Sequence, residues 1–522
     1  MRRMRRSAFG IPVGIAALGL TGIVLAACTT PPTAPSATAT SSATTIEVST
    51  TVSSLAASVL ADNEDATVVR PDEWSEADAV DVTLSGTTAS STAAGVSVDG
   101  STVTIAAAGV YRLSGALRGQ VVVAAPDDAL VVLILDGAEI SSTTGPAITV
   151  RSADDVAVHL AAGSVNALSD ASSYAEDADA NAALFSEEDL TVSGTGSLTV
   201  HGNGNDGITS EDDLAIIGGT ITVVAADDAL RGKDSLTVED GVLTLTAQGG
   251  DALKSDNEEE AGRGYVVVTG GTVQATAGDD GIQAQTDVVI TGGTLSFSVG
   301  DDGVHAEQIL AIDGSRLTIA QSTEGLEAFR IEIASGEIDV TSSDDGLNAS
   351  GGDAQVGESA DGGQQLVITG GALVVRAEGD GLDSNGSISI SGGEITVFGP
   401  TRQDNGALDS NGAFTISGGT LIALGSSGMA ETPDAASPQG WVAAVASGAA
   451  GSTVQVLDAS GAVLAETVAE KAFESVIVSA AGIASGSGYT ISVDGTATTA
   501  TAGQAIAGGM GGMPGGPGQG RP

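Results

Sequence analysis

One cysteine, Cys28, in 522 residues leaves no possibility of an internal disulfide framework. Aromatic residues are only 2% of the chain, and its two tryptophans, Trp74 and Trp441, fall outside the regular part described below. The stacking platforms that usually hold neutral sugars are therefore nearly absent, which disfavours binding by stacking. Positive charge is also short: 18 Lys and Arg stand against 67 Asp and Glu, for a net charge of −49. Nucleic acid and anionic lipid surfaces are poor partners for such a chain, because their phosphates are repelled. Metal cations, or ligands that a cation bridges, are favoured instead. Beyond the first 25 residues no run is long and apolar enough to span a bilayer.

The sequence opens with a targeting pattern. Arg2, Arg3, Arg5 and Arg6 form a basic stretch, Ile11 to Leu25 an apolar one, and Leu25-Ala26-Ala27-Cys28 closes it. Small residues before the sole cysteine resemble a bacterial lipobox. This predicts a signal peptide over 1–27, lipidation of Cys28, and an extracytoplasmic protein lipid-anchored to the outer face of the cytoplasmic membrane. An ordinary signal peptide with an incidental cysteine is the alternative. Residues 28–58, rich in Ser, Thr, Pro and Ala, read as a flexible tether. Residues 60–80, with Trp74 among acids, are expected to cap the domain that follows, and the Gly/Pro-rich tail 501–522 is expected to be disordered.

What the chain has in abundance is a phrase. It reads Asn205-Asp206-Gly207-Ile208, then Asp227-Asp228-Ala229-Leu230, Gly250-Asp251-Ala252-Leu253, Asp279-Asp280-Gly281-Ile282 and Asp301-Asp302-Gly303-Val304. Thr323-Glu324-Gly325-Leu326, Asp344-Asp345-Gly346-Leu347, Gly379-Asp380-Gly381-Leu382 and a looser Asn405-Gly406-Ala407-Leu408 continue it. The usual spacing is 21–23 residues, and between phrases come apolar alternations broken by Gly-Gly, as in Val288 to Leu295. Such a period predicts a solenoid of three short strands per repeat, whose neighbours stack at roughly 4.8 Å to bury their apolar faces. The expected fold is an all-β parallel β-helix over 59–425, irregular from 80 to 200 and regular from 205. A lateral excursion is expected at 169–189, a linker-like passage at 425–438, and a small β cap over 426–500. Two insertions, Asp256 to Arg263 and Ala349 to Gln364, are expected to form loops on one face.

In-register stacking places the acids of successive phrases above one another. One column holds Asp206, Asp228, Asp251, Asp280, Asp302, Glu324, Asp345 and Asp380, and a second holds Asp227, Asp279, Asp301 and Asp344. Like charges at that rise repel by about 1 kcal/mol per pair even in water. Calcium, which takes six to eight oxygens at about 2.3–2.6 Å, offsets this by sitting between rungs. The plainer reading is that each Asp makes the turn, bonding nearby backbone amides. The doubled acids at 279/280, 301/302 and 344/345 point more strongly to calcium, since a turn needs only one. Arg231, Lys233 and Lys254 follow two adjacent phrases and should project beside the column, as salt-bridge partners, as contacts for a substrate carboxylate, or as a catalytic base. His159, His201 and His305 have no partner motif and read as structural or solvent-facing.

Several dispersed stretches carry a resemblance. Val110-Tyr111-Arg112-Leu113-Ser114-Gly115, Asn181 to Ser186, Asn205 to Ile208, Leu230-Arg231-Gly232-Lys233-Asp234, Gly264-Tyr265-Val266 and Ile422 to Met429 resemble, in order, bacterial carbohydrate-binding domain-containing proteins of a pectate-lyase-like β-helix family. The resemblance implies a right-handed β-helix, bound calcium at Asp-Asp-Gly positions, and binding of polygalacturonate-type or cellulosic polymers without lyase activity. At Thr323-Glu324 and Gly379-Asp380 one of the paired acids is missing, so the resemblance carries calcium there less securely than at 279/280 and 301/302, although Asp380 stays among the candidate ligands. The resulting expectation is a monomeric surface lipoprotein that binds acidic or cellulosic polysaccharide through calcium. The alternatives are a calcium-dependent lyase using Arg231, Lys233 or Lys254, and a calcium-stiffened envelope stalk.

Overall fold

The structure, a computed structural model, describes residues 54–175, 178, 180–352 and 361–506. The expected signal peptide, Cys28, most of the tether, part of the second insertion and the tail beyond 506 lie outside the described residues. Strands dominate; among the described residues helix is limited to Ser54–Leu60 and the 3-10 turn Glu76–Asp78.

Each regular coil lays down three strands. In one they are Ile282–Ala284, Asp287–Ile290 and Thr294–Ser298. Every strand pairs in parallel with its counterparts in the coils before and after: Lys254↔Gln283↔His305 in the first sheet, Val267↔Val289↔Ala311 in the second, Val273↔Leu295↔Leu317 in the third. Alternation turns Ile282, Val288, Ile290, Leu295 and Phe297 inward, where they join one apolar core running through the stack. Two glycines set the corners. Gly293, at φ +86°, occupies backbone space that L side chains rarely adopt, in the turn between the second and third strands. At Gly303 a Cβ would come within 2.5 Å of the Gly325 carbonyl oxygen one coil on, so only glycine permits the close stacking of that turn.

The N-terminal segment departs from expectation. Ser54–Leu60 is a helix, not tether, because Ala56 and Val59 pack on Tyr265, Val267, Val289 and Ala311. Residues 61–79 do not cap the end of the stack; they run along its flank, over the outer face of the second sheet. Tyr265 Oη donates to the Glu64 carbonyl at 2.6 Å, the Thr67 amide donates to Asp213 Oδ2 at 2.8 Å, and the Val69 amide donates to Thr191 Oγ1 at 3.0 Å. Trp74 meets His159 edge-on at 4.9 Å before Val80–Gly86 joins the first coil beside Tyr111. The strap thus travels from the coil of Ala311 back to that of Val110. The outward column beneath it reads Val110, Val132, Ala157, Thr191, Ala215, Thr237, Val267, Val289, Ala311, small or apolar throughout because it is covered.

Two further expectations are corrected. The excursion at 169–189 contains the strand Ala182–Ser186, which pairs in parallel with Ile148–Ser152 and Asp206–Ser210; all five of its residues are buried, so it belongs to the first sheet. The passage 425–438 is not a free linker: Ala430 packs into the main core, and the Asp434 carbonyl accepts from the Trp441 indole at 3.2 Å. Beyond it, Phe473–Ser479 pairs antiparallel with both Thr420–Gly425 and Trp441–Gly448, covering the edge of the last coil. The strands Thr453–Leu457, Val463–Val468, Gly488–Val493 and Thr496–Thr501 form a separate four-stranded antiparallel sheet.

Candidate functional site

The acidic column lies at the corner before the first sheet, and its carboxylates are mostly buried. Asp206, Asp228, Asp251, Asp280, Asp345 and Asp380 each accept from the backbone of the next rung. The Asp251 amide donates to Asp228 Oδ1 at 2.8 Å, Asp280 to Asp251 at 2.9 Å, Asp302 to Asp280 at 2.8 Å, and Asp380 to Asp345 at 2.6 Å. One oxygen of each of these acids is therefore a turn-maker's oxygen. The other meets the groups beside the ladder, as Asp206 Oδ2 accepts from the Thr209 hydroxyl at 3.1 Å.

Three residues on from each acid, the middle of the short strand points outward and forms a neighbouring column: Thr209, Arg231, Lys254, Gln283, His305, Glu327, Asn348, Asp383. Its cations face the acids. Lys254 Nζ lies 2.8 Å from Asp251 Oδ2 and 3.3 Å from Asp228 Oδ2. Arg231 donates to Asp256 at 3.0 Å and to Glu211 at 2.8 Å, and Lys233 sits 3.8 Å from Glu211. Burial works against both the Arg231 and Lys254 charges, but these acids outweigh it and hold both pKa values above their ordinary range. The first insertion thus contributes Asp256 at one end. At the other, Arg263 is buried against Asp213 at 3.3 Å and Glu64 of the strap at 2.8 Å.

His305 was not expected here. Its Nδ1 lies 3.4 Å from Asp302 and 3.7 Å from Glu327, and the hydrogen bond to Asp302 raises its pKa despite burial. The fixed offset of three residues was the available signal, since His305 falls in the same place after Asp302 as Lys254 does after Asp251.

Four sets of acids and histidine bring ligand atoms within 4.8 Å of one another among the described residues: Asp206/Asp227/Asp228, Asp251/Asp279/Asp280, Asp280/Asp302/His305 and Asp302/Glu324/Glu327. Asp227, Asp228, Asp251, Asp279, Asp280 and Asp302 are thus brought together in groups. Asp301, Asp344, Asp345 and Asp380 join no such set, although Asp345 and Asp380 keep their places in the ladder. Burial, with neighbouring acids adding to it, pushes Asp206 and Asp380 up to about 7 and Glu324 and Asp383 up to about 8. Burial raises Asp280 as well. These carboxylates hold protons unless a positive group compensates them.

The donors suit a hard metal cation. They are nearly all oxygens, and Gln283, between Lys254 and His305 in register, has a buried Oε1 with no hydrogen-bond partner.

The profile of a family described as "Carbohydrate-binding domain-containing protein" matches residues 99–362, just over half of the chain. A protein of that same description from Acetivibrio thermocellus is 40% identical over 185 residues, which are 34% of this chain and 64% of that one. The chain therefore spans less than two thirds of that relative's length. Among solved structures, a gadolinium derivative of a polysaccharide lyase-like protein from C. thermocellum aligns at 35% identity and a TM-score of 0.44, covering 45% of this chain and 99% of that one.

Proposed function

The chain belongs to the carbohydrate-binding domain-containing protein family, and from that premise we propose that it binds acidic or cellulosic polysaccharide at the cell surface without cleaving it. In this reading the fold is a right-handed, pectate-lyase-like parallel β-helix. It is monomeric and held to the outer face of the cytoplasmic membrane through lipid on Cys28. Asp251, Asp279, Asp280 and Asp302 hold calcium, and Asp227 and Asp228 are a further set beside them. Calcium in such a site supplies positive charge to which a sugar carboxylate can add its own oxygens. The observation that carries the reading is the convergence of buried carboxylates whose number exceeds that of the cations facing them.

Arg231 and Lys254 support binding over catalysis. A lyase needs a base that can give up its proton near neutral pH, whereas both side chains are tied to acids that stabilise their charge. Incubation with polygalacturonate, in calcium and again in chelator, tests the proposal when retention and the ultraviolet absorbance of unsaturated uronides are read together. Calcium-dependent retention without absorbance is expected. Absorbance that rises, and is lost in Arg231→Ala or Lys254→Ala, would make the protein a lyase. Neither signal would leave a calcium-stiffened stalk.

A further inference from the structure

We propose that Asp302, Glu324, Glu327 and Asn348 form a seat for one calcium ion, at the rung where the doubled-acid phrase breaks. The inference rests on the calcium-binding reading above and adds an ion where the Asp-Asp-Gly pattern gives none.

The three carboxylates come from two successive coils, and their oxygens lie within 4.8 Å of one another. Glu324 replaces the ladder aspartate, and its extra methylene carries the carboxylate outward along the corner. Glu327 follows three residues later in the outward column, and Asn348 is its register partner one coil on. The Asn348 side-chain amide donates to Glu324 Oε2 at 2.8 Å. That bond fixes which way the amide points and leaves its carbonyl oxygen, Oδ1, buried and without a hydrogen-bond partner, in a residue only 9% exposed. An orphaned amide oxygen beside three carboxylates is a donor awaiting a cation. Protonating Glu324 would ease the repulsion among the acids but would not satisfy Asn348 Oδ1. Calcium answers both needs, since it accepts carboxylate and amide oxygens in one irregular shell.

Position along the stack strengthens the assignment. At the rungs of Asp228 and Asp251 the space beside the acids is taken by the Lys254 ammonium. At this seat the neighbouring group is His305, whose Nδ1 lies 3.4 Å from Asp302 and 3.7 Å from Glu327 and which carries charge only when protonated. Beyond it the outward column offers Glu327, Asn348 and Asp383 and no basic side chain.

Equilibrium dialysis of the purified full chain, stripped with chelator and returned to calcium, counts bound ions per molecule. Asn348→Leu and Glu327→Gln are each expected to lose one ion relative to wild type. Asp280→Asn should lose a different one, so that Glu327→Gln with Asp280→Asn loses two. Glu327 is 23% exposed, so its substitution keeps the test open should the more buried Asn348→Leu fail to fold. A full ion count in Glu327→Gln overturns the seat, and if Asp280→Asn still loses an ion the calcium reading stands without it. Wild type that binds no calcium overturns both.

Discussion

In the outward column of the first sheet, Arg231 and Lys254 stand on adjacent rungs and reach into the acids beside them; four rungs further on, the same column reads Asn348 and Asp383. The backbone geometry is the same in both regions. What differs is the source of countercharge. In the earlier rungs it is covalent, an ammonium 2.8 Å from Asp251. In the later rungs Asp380 and Asp383 have no lysine or arginine in the column, and burial, with Asp345 and Asp409 adding to it, raises their pKa values. A repeat can therefore keep its fold while changing the one position that decides whether an external cation is wanted.

The largest expected effect comes from making the first region resemble the second. Lys254→Met leaves the buried Asp228 and Asp251 uncompensated and should cost about 3–5 kcal/mol in chelator, measured by denaturant unfolding. Added calcium should restore part of that loss by replacing the ammonium. A loss unchanged by calcium would mean that the two regions are not interchangeable.

Titration tests the second region directly. Glu324, Asp380 and Asp383 have folded-state pKa values of about 7–8, above their unfolded values near 4. The folded chain thus binds more protons than the unfolded chain between those values, and stability in chelator falls as pH rises from about 4 to about 8, then levels. Under the proposed function calcium binds the deprotonated carboxylates, and its addition should flatten that decline. Thermal midpoints measured across this range in chelator and in calcium check both halves of the statement, and a chelator curve that rises with pH would contradict it.

Smaller effects mark what the two regions share. Gly303→Ala drives a Cβ to within 2.5 Å of the Gly325 carbonyl and should cost about 1–3 kcal/mol with or without calcium. Asp301→Asn, at an exposed acid that joins no converging set, should change stability by no more than about 0.5 kcal/mol and leave the calcium count intact. A lost ion there would restore the doubled acid as the ligand signature.

The three strands per coil and the stacking of the acids were legible because both follow from a fixed period and from alternation. The seat at Glu324 was harder to read. The doubled acid drew attention to Asp279 and Asp301, whereas the column that faces the ladder is set by an offset of three, which places His305, Glu327 and Asn348. The strap was hidden for a related reason. Val267 and Val289 sit where alternation calls for polar residues, and an apolar residue on the outer face signals a covering segment. That segment comes from residues 54–79, some 200 positions earlier, and no local pattern connects the two.

The route of the strap also determines how the molecule carries load. A pull applied at Ser54 enters at the flank, beside Val289 and Ala311, not at the first coil. The force must part the salt bridges from Arg263 to Glu64 and from Arg70 to Glu239, one after another, before it reaches Val80 and the first rung of the stack. These bonds would break in sequence, like a seam opening from one end, while the strands behind them stay paired. The strap is thus a mechanical fuse: it spends its own length under tension before the coils beneath it are strained.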